Sequence, residues 1–307
     1  MTVTDAADAS SPTSPPPSPG YLDVPTLLEL SQPHPRGNWF WFGAGLFAML
    51  VIGSTMASSR SQQMHQAVEL LSLLVLFGLM GAMTMVTMLT VRQHRAQQQT
   101  VEAIEELVQL RRWDQAGMAL QLFLSTPARS PRARAQALVY LSSVLARHHR
   151  YEDAIAVQNH LLENDLVDPP TAYGLRLGRA MAMLHEDHLV DAHQAIADLR
   201  RGGASDHSGG LALVEIYRDV KTGHPTEAIE SFAEKLPLMQ QQLGHRVADA
   251  HALVARAYDM LGREDEARAA FERATLLSPV SELTRRYAEV QKLTAKYQPA
   301  PAPPEAM

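Results

Sequence analysis

The sequence predicts an all-α protein in which an N-terminal two-helix transmembrane hairpin is followed by an α-solenoid of about five helical hairpins and a capping helix. Three observations support this prediction. Two long apolar runs lie close together near the N-terminus. The remainder is rich in helix-forming residues and lacks the alternating apolar pattern of strands. Within that remainder, a short motif recurs at intervals of 38, 38, 36 and 39 residues.

Residues 1–37 form a Pro/Ser-rich leader, which we expect to be disordered because it has too few apolar groups to offset the entropy of ordering. Within it, Pro25 could open a short helix over residues 25–31 with leucines on one face. That helix could lie on a membrane, dock on a partner or fill a groove of the chain itself, and a transiently helical linker is an equal alternative. Residues 298–307 form a second tail that we expect to be disordered.

The predicted transmembrane hairpin occupies residues 38–92. Its two spans, residues 39–57 and 70–91, contain no charged residue, and each is long enough to cross the roughly 30 Å hydrocarbon core as a helix. The aromatic residues 39–42 suit the membrane interface. Residues 82–110 contain no Gly or Pro, so the second span is expected to continue into the first helix of the solenoid.

Basic residues near the spans indicate the orientation. Arg36, Arg92 and Arg95 lie on the side of the outer ends, whereas the connecting loop offers only Arg60. This distribution favours an integral membrane protein of the bacterial inner membrane, with both termini and the solenoid in the cytoplasm. The reversed topology, with the solenoid in the periplasm, remains the alternative.

Composition excludes several classes of function. The chain has no cysteine, which removes disulfides, thiolate metal sites and thiol catalysis. Residues 97–297 carry 23 Lys and Arg against 27 Asp and Glu, a net charge of −4. Because nucleic-acid binding needs a concentrated basic face, no nucleic-acid partner is predicted.

The recurring motif centres on a small alanine that follows a polar turn and an acidic or threonine residue. The five alanines are Ala116, Ala154, Ala192, Ala228 and Ala267. Asp or Thr near a helix start can cap free amides and suits the helix dipole. The alanine lets two antiparallel helices approach closely, and in four copies a bulky residue follows one turn later, at Leu120, Ile196, Phe232 and Phe271.

The last copy, "HALVARAYDMLGREDEARAAFERATLLSP", resembles a complete tetratricopeptide repeat. The matching residues are Ala255, Tyr258, Gly262, Ala267, Phe271, Ala274 and Pro279. The other copies match more weakly; in the second, Gln158 stands where the family has an aromatic residue. The resemblance covers residues 96–280 and implies an α-solenoid over residues 93–297. Its end would be closed by a capping helix over residues 281–297, with Leu283, Tyr287, Val290 and Leu293 as an apolar stripe.

In the family, the first helix of each hairpin lines a concave groove that binds a protein or peptide partner. The corresponding positions here are Val101, Glu105, Val139, Ser143, Leu177, Met181, Leu211, Glu215, Ala252 and Arg256. They are largely apolar, whereas family members that hold chaperone carboxylate tails use lysine and asparagine. The resemblance therefore implies a hydrophobic peptide or helix as partner, although any one of these residues could instead pack within the array.

Histidines fall in successive turns of the array. His149, His185 and His188, with nearby carboxylates, could bind zinc or nickel, or form a pH-sensitive edge. Turns are solvated, however, and no metal signature such as H-E-x-x-H is present. We interpret these residues as exposed turn histidines, and no metal and no cofactor is predicted.

No nucleophile or acid–base constellation is recognisable, so no enzymatic activity is predicted. The sequence indicates a membrane-anchored adaptor or scaffold that recruits a protein partner to the cytoplasmic face. Three alternatives remain. The chain could be a structural subunit of a larger membrane complex or a homo-oligomer, an envelope-assembly factor facing the periplasm, or a zinc-linked sensor.

Overall fold

The computed structural model describes residues 23–31, 62–126, 130–204 and 208–297, and regular structure in these ranges is helical. The helices are α1 (Val24–Glu29), α2 (Gln62–Gln109), α3 (Trp113–Ser125), α4 (Pro131–Arg147), α5 (Tyr151–Glu163), α6 (Pro169–His185), α7 (Leu189–Leu199), α8 (Gly209–Thr222), α9 (Pro225–Leu243), α10 (Val247–Met260), α11 (Glu264–Leu277), α12 (Val280–Arg286) and α13 (Gln291–Tyr297). The all-α prediction is confirmed for the described residues.

The chain divides into two compact units, Met1–Ala137 and Leu138–Met307. The first contains α1, α2, α3 and the start of α4. The second contains the remainder of α4 and all later helices. The candidate functional site lies in the second unit.

The longest element is α2, which has 48 residues and a length of about 72 Å at 1.5 Å per residue. The expected continuation of the second apolar run into the first helix of the array is confirmed by this unbroken helix. Its last turns pack against α3, where Val101, Ile104, Leu120 and Leu124 are buried.

The two predicted membrane spans differ in what the structure describes of them. The first, residues 39–57, lies outside the described residues, whereas the second, residues 70–91, lies within α2. Across the described ranges, no helix combines the length and the apolar content that crossing a membrane requires.

The short helix expected in the leader is present as α1, and it docks on its own chain within the first unit. Val24 and Leu27 are buried, with 1% and 5% of their surface exposed. Arg134 donates to Ser31 Oγ at 2.8 Å and to the carbonyl oxygens of Thr126 and Leu124 at 2.9 and 2.8 Å. A buried guanidinium satisfied in this way fixes the end of α1 on the first turns of α4.

The five hairpins share one turn geometry. A residue with positive φ lies five positions before each motif alanine: Arg111, His149, Asp187, Gly223 and Gly262. All five alanines are fully buried, as the sequence motif predicts. The repeat is therefore a repeat of backbone conformation as well as of sequence.

The second helix of each hairpin begins differently from the expectation. The residue at each N-cap is a cation or a histidine and makes no side-chain capping hydrogen bond: Arg112, Arg150, His188, His224 and Arg263. Acidic residues lie in the first turn instead, where they suit the helix dipole. Two of them also pair with the N-cap arginine, since Arg150 contacts Asp153 at 2.6 Å and Arg263 contacts Glu266.

In the second unit, consecutive hairpins stack so that first helices contact first helices, with α6 against α8 and α8 against α10. The resulting core runs from Ala180 to Leu293 and includes fully buried residues from α6 onward. This arrangement confirms a helical-repeat solenoid in this unit.

The expected capping helix over residues 281–297 is interrupted. α12 ends at Arg286, Tyr287 is extended (φ −131°, ψ 105°), a 3-10 turn covers Ala288–Val290, and α13 follows. The physical reason is burial, because the break turns Tyr287 into the core, where only 1% of its surface is exposed. Tertiary packing thus overrides a local helix preference.

Candidate functional site

A single face of the second unit is formed by the first helices of its four hairpins, α4, α6, α8 and α10. We call it the shared face, and define it by Arg147, His185, Tyr217, Lys221 and Asp249, which all contact one segment. That segment is residues 280–297, named here the C-terminal segment. A segment that contacts four successive first helices must lie along the side that these helices have in common.

On two helices, a residue of the shared face lies one turn after positions that the sequence predicted for the groove. On α4, Val139 and Ser143 are followed four residues later by Arg147. On α6, Leu177 and Met181 are followed four residues later by His185. Residues four apart lie on the same side of a helix, so the predicted positions mark the side that the C-terminal segment contacts.

An aromatic cluster lies at the centre of the shared face. The rings of Tyr151 and His185 are stacked, with centroids 4.4 Å apart and an interplanar angle of 8°. The His185 ring lies 5.0 Å from the Tyr217 ring, which in turn meets the Tyr287 ring edge-on at 5.1 Å. These separations fall in the favourable range for aromatic pairs. The C-terminal segment therefore contributes Tyr287 to a cluster built by three hairpins.

Burial sets the protonation of this cluster. Desolvation, with the nearby charge of Lys221 second, lowers the pKa of His185 to about 4, so its imidazole is neutral at pH 7. Burial also raises the pKa of Tyr151 to about 12 and raises the pKa of both Tyr217 and Tyr287. The hydroxyl of Tyr217 lies 3.2 Å from His185 Nδ1, within hydrogen-bond reach. The cluster is thus uncharged at neutral pH.

Asp249, at the start of α10, is the fully buried carboxylate of the shared face. It accepts from Arg286 Nη1 at 2.5 Å, from the Tyr287 hydroxyl at 3.4 Å and from Arg246 Nε at 3.2 Å. A buried carboxylate needs such partners to offset its lost hydration. Two of the three come from the C-terminal segment.

Two further charge pairs hold the C-terminal segment. Arg147 Nη2 donates to both carboxylate oxygens of Glu282 at 2.7 Å. Lys221 Nζ lies 3.2 Å from Glu289 Oε1, and it also contacts Asp187 at 2.5 Å. Each charged residue of the shared face, Arg147, Lys221 and Asp249, is therefore paired with an oppositely charged residue of the C-terminal segment.

The ten groove positions predicted from sequence have different environments. Four are buried inside the array: Val101, Leu211, Glu215 and Ala252. Five are half-buried: Glu105, Val139, Leu177, Met181 and Arg256. Ser143 is exposed. Among the buried four, Glu215 is paired internally, with Arg200 at 2.6 Å and Lys235 at 3.2 Å. The buried positions present no surface to a partner, which leaves the half-buried and exposed ones as candidates.

The three histidines considered for metal binding also have different environments. His149 and His188 are exposed, and His188 lies 3.3 Å from Glu152. His185 is not an exposed turn histidine, as the sequence interpretation had it, because Tyr151, Tyr217 and Tyr287 cover it. Within the described ranges, no three His, Asp or Glu side chains come together as a set that could hold a metal ion.

Sequence reasoning missed Tyr217, Lys221, Asp249 and Glu289. These residues meet through contacts between positions 32 to 72 residues apart, such as Tyr217 with His185 and with Glu289. No local pattern marks them, because Tyr217, Lys221 and Asp249 lie in ordinary amphipathic helices and Glu289 lies in a 3-10 turn. The one usable signal was Tyr287, which the apolar stripe of the capping helix included.

Comparisons with known proteins give a structural match and no match by sequence. No protein-family model matches the chain, and no curated protein matches it. Among solved structures, the chain is similar to a thermophilic TPR protein of Thermus thermophilus at 20% identity, with a TM-score of 0.46, over 64% of this chain and 99% of that chain. The helical-repeat fold stands on the turns and helix pairs of the chain itself.

Proposed function

We propose that this protein is a non-enzymatic, tetratricopeptide-type adaptor that binds a protein partner through the shared face. The observation that supports this most strongly is the C-terminal segment on that face. Residues of four successive hairpins hold an 18-residue segment (280–297) by aromatic, apolar and paired charged contacts. A face with this mixture of groups has the chemistry that recognises polypeptide.

We further propose that the chain is anchored in a membrane through its N-terminal apolar runs. The composition of residues 39–57 and 70–91 supports this. So does α2, which exposes large apolar side chains around its circumference between residues 77 and 91: Phe77, Met80, Met83, Met85, Val86, Met88, Leu89 and Val91. A helix that is apolar all round is normally covered, by lipid or by protein.

Partner binding is tested by affinity purification from cell membranes. We compare the wild type with a Val139→Lys, Ser143→Lys variant, which alters the shared face two turns and one turn before Arg147. The matched control is Val190→Lys, His193→Lys on α7, a second helix, where both residues are exposed. We expect the first variant to lose a specific partner that the control retains. Equal partner sets for both variants would contradict the proposal.

Orientation is tested with the substitution Ser59→Cys, which gives a chain with a single thiol because the natural sequence has no cysteine. With both termini in the cytoplasm, an impermeant maleimide added to intact cells should label this loop position. Labelling only after the membrane is opened would indicate the reversed topology and a solenoid in the periplasm.

A second candidate function is that of a structural subunit in a larger membrane complex. The observation that favours it is on α3, where Met118 and Leu122, one turn apart, have 62% and 71% of their surface exposed. A subunit interface would cover such a pair. Purification in mild detergent distinguishes the two functions, because a subunit should elute with other chains at fixed stoichiometry.

A further inference from the structure

The C-terminal segment lies on the shared face much as a bound peptide would. Besides its contacts with the last hairpin, it contacts residues of earlier hairpins: Glu282 pairs with Arg147 across 135 residues, and Glu289 accepts from the Tyr217 hydroxyl across 72. Leu283, Val290 and Leu293 supply the apolar part and are fully buried. A helix that only closed the end of an array would need contacts with the last hairpin alone.

The shared face offers three chemically distinct subsites to this segment. Arg147 binds the carboxylate of Glu282 at 2.7 Å. Asp249 binds the guanidinium of Arg286 at 2.5 Å. Between these charges, the rings of Tyr217 and His185 enclose the side chain of Tyr287.

The final contact fixes the spacing of the recognised residues. Lys221 Nζ lies 3.2 Å from Glu289 Oε1, and the Tyr217 hydroxyl lies 3.4 Å from the same carboxylate. The recognised core is therefore Arg286-Tyr287-Ala288-Glu289, with Tyr287 in an extended conformation. This conformation lets the arginine and the tyrosine reach Asp249 together while the glutamate reaches Lys221.

We propose that the shared face is a peptide-binding site for an Arg-Tyr pair followed two residues after the tyrosine by a carboxylate, and that the C-terminal segment occupies it until a partner presents the same chemistry. This inference rests on the proposed function and specifies it. The partner is a protein that carries such a segment, and binding exchanges an internal ligand for an external one. The occupied face is thus the autoinhibited state of the adaptor.

The test measures binding of a fluorescent peptide with the sequence of residues 279–297 to the full-length chain in detergent micelles, by fluorescence anisotropy. The receptor variant is Glu282→Arg, Glu289→Arg. It replaces both carboxylates of the internal segment by cations, which repel Arg147 and Lys221. The control is Glu234→Arg, Glu272→Arg, with the same change of charge at two exposed positions outside the segment. We expect the receptor variant to bind the peptide at least about tenfold more tightly than the wild type and the control do. Equal binding by all three would overturn the proposal.

Peptide variants test the chemistry of the subsites. Replacing the residue equivalent to Tyr287 by Ala, or that equivalent to Glu289 by Gln, should weaken binding by about tenfold. If the peptide with both changes binds as tightly as the unchanged peptide, the shared face does not recognise these side chains and the proposal is wrong.

A chain with an inserted protease site provides a second test, which applies if the receptor variant does not fold. A specific protease site is inserted between Ser278 and Pro279, and the full-length chain is cut after folding, so that only its contacts hold the segment. The labelled peptide should then enter the cut chain and not the uncut one. If the cut chain takes up no peptide, or unfolds as the fragment leaves, the segment is a fixed part of the array and the proposal is wrong.

The two proposals fail separately. If the peptide does not exchange, but the Val139→Lys, Ser143→Lys variant loses a partner, the adaptor function stands and the internal-ligand inference fails. If the peptide exchanges and no variant of the shared face changes the set of partners, the adaptor function fails.

Discussion

His185 is the residue whose environment departs most from its expected place in a solvated turn. It is stacked on Tyr151 and enclosed by Tyr217 and Tyr287, and burial keeps its imidazole neutral. Because its pKa is about 4 in the folded protein and about 6.5 in an unfolded chain, the two states bind different numbers of protons between those values.

This difference predicts a pH dependence of stability. Above pH 6.5 His185 is neutral in both states and its contribution is fully present. As the pH falls below 6.5, only the unfolded chain takes up the proton, so stability is lost progressively until about pH 4. Between pH 7.5 and pH 5, the wild type should lose about 2 kcal/mol more free energy of unfolding than a His185→Gln variant. Urea unfolding at both pH values measures this, and equal losses would contradict the assigned environment.

Gln158 occupies the second-helix position where the four other copies have leucine, isoleucine or phenylalanine and the family has an aromatic residue. It is buried, with 5% of its surface exposed, and its Oε1 has no hydrogen-bond partner in the described part of the chain. A buried acceptor without a partner costs stability.

We therefore expect Gln158→Leu to raise the free energy of unfolding by about 1 kcal/mol. Gln158→Glu serves as the opposite control and should destabilise, because it places a charge at the same buried site. Thermal unfolding of the wild type and the two variants measures the order of their stabilities. A destabilised leucine variant would show that the amide has a partner after all.

At the scale of single residues, the sequence predicted which side chains are buried better than it predicted contacts between distant residues. The motif alanines and Leu120, Ile196, Phe232 and Phe271 are buried as expected, since periodicity reports which side of a helix faces a neighbour. Asp249 and Lys221 could not be predicted, because their roles depend on a segment dozens of residues away.

At the scale of elements, the hairpin turn is the most regular feature of the fold. Its left-handed residue is glycine in the last two hairpins, but Arg111, His149 and Asp187 in the first three. A side chain in this conformation costs roughly 1–2 kcal/mol, which glycine avoids at some entropic cost.

The substitution Arg111→Gly should therefore stabilise the first hairpin by about 0.5–1 kcal/mol. Arg111 is exposed with φ 58°, so little packing is lost. The reverse substitution is Gly262→Ala, where φ is 71° and no heavy atom lies near an added Cβ. We expect it to lower the free energy of unfolding by about 1 kcal/mol, through backbone strain alone. Differential scanning calorimetry measures both. Changes of the same sign would contradict a shared turn conformation.

The helix starts and the C-terminal segment show where element prediction failed. The acidic residues near each second helix were expected to cap it, yet the N-cap position holds Arg or His in every hairpin. Residues 281–297 have a helical pattern throughout, but the burial of Tyr287 favours an extended residue in the middle. Helix propensity contributes only a few tenths of a kcal/mol per residue, so the burial of one aromatic ring outweighs it.

At the scale of the whole molecule, composition and repeat spacing predicted an all-α array of five hairpins, and the described residues contain five hairpin turns at the predicted positions. The membrane anchor and its orientation stay predictions that rest on the apolar runs and the basic residues beside them. The occupied shared face could not be predicted, because it follows from the tertiary path of the last 18 described residues (280–297) and from no repeat in the sequence.

Binding of a protein partner to the shared face can be measured in cells by site-specific photo-crosslinking. A photoreactive amino acid is placed at Ser143, which is exposed on the first helix α4, and in a separate chain at Val190, which has 82% of its surface exposed on the second helix α7. We expect a discrete crosslinked protein from position 143 and none from position 190. A crosslink from position 190 alone, or the same crosslinked protein from both positions, would show that the partner does not bind the shared face.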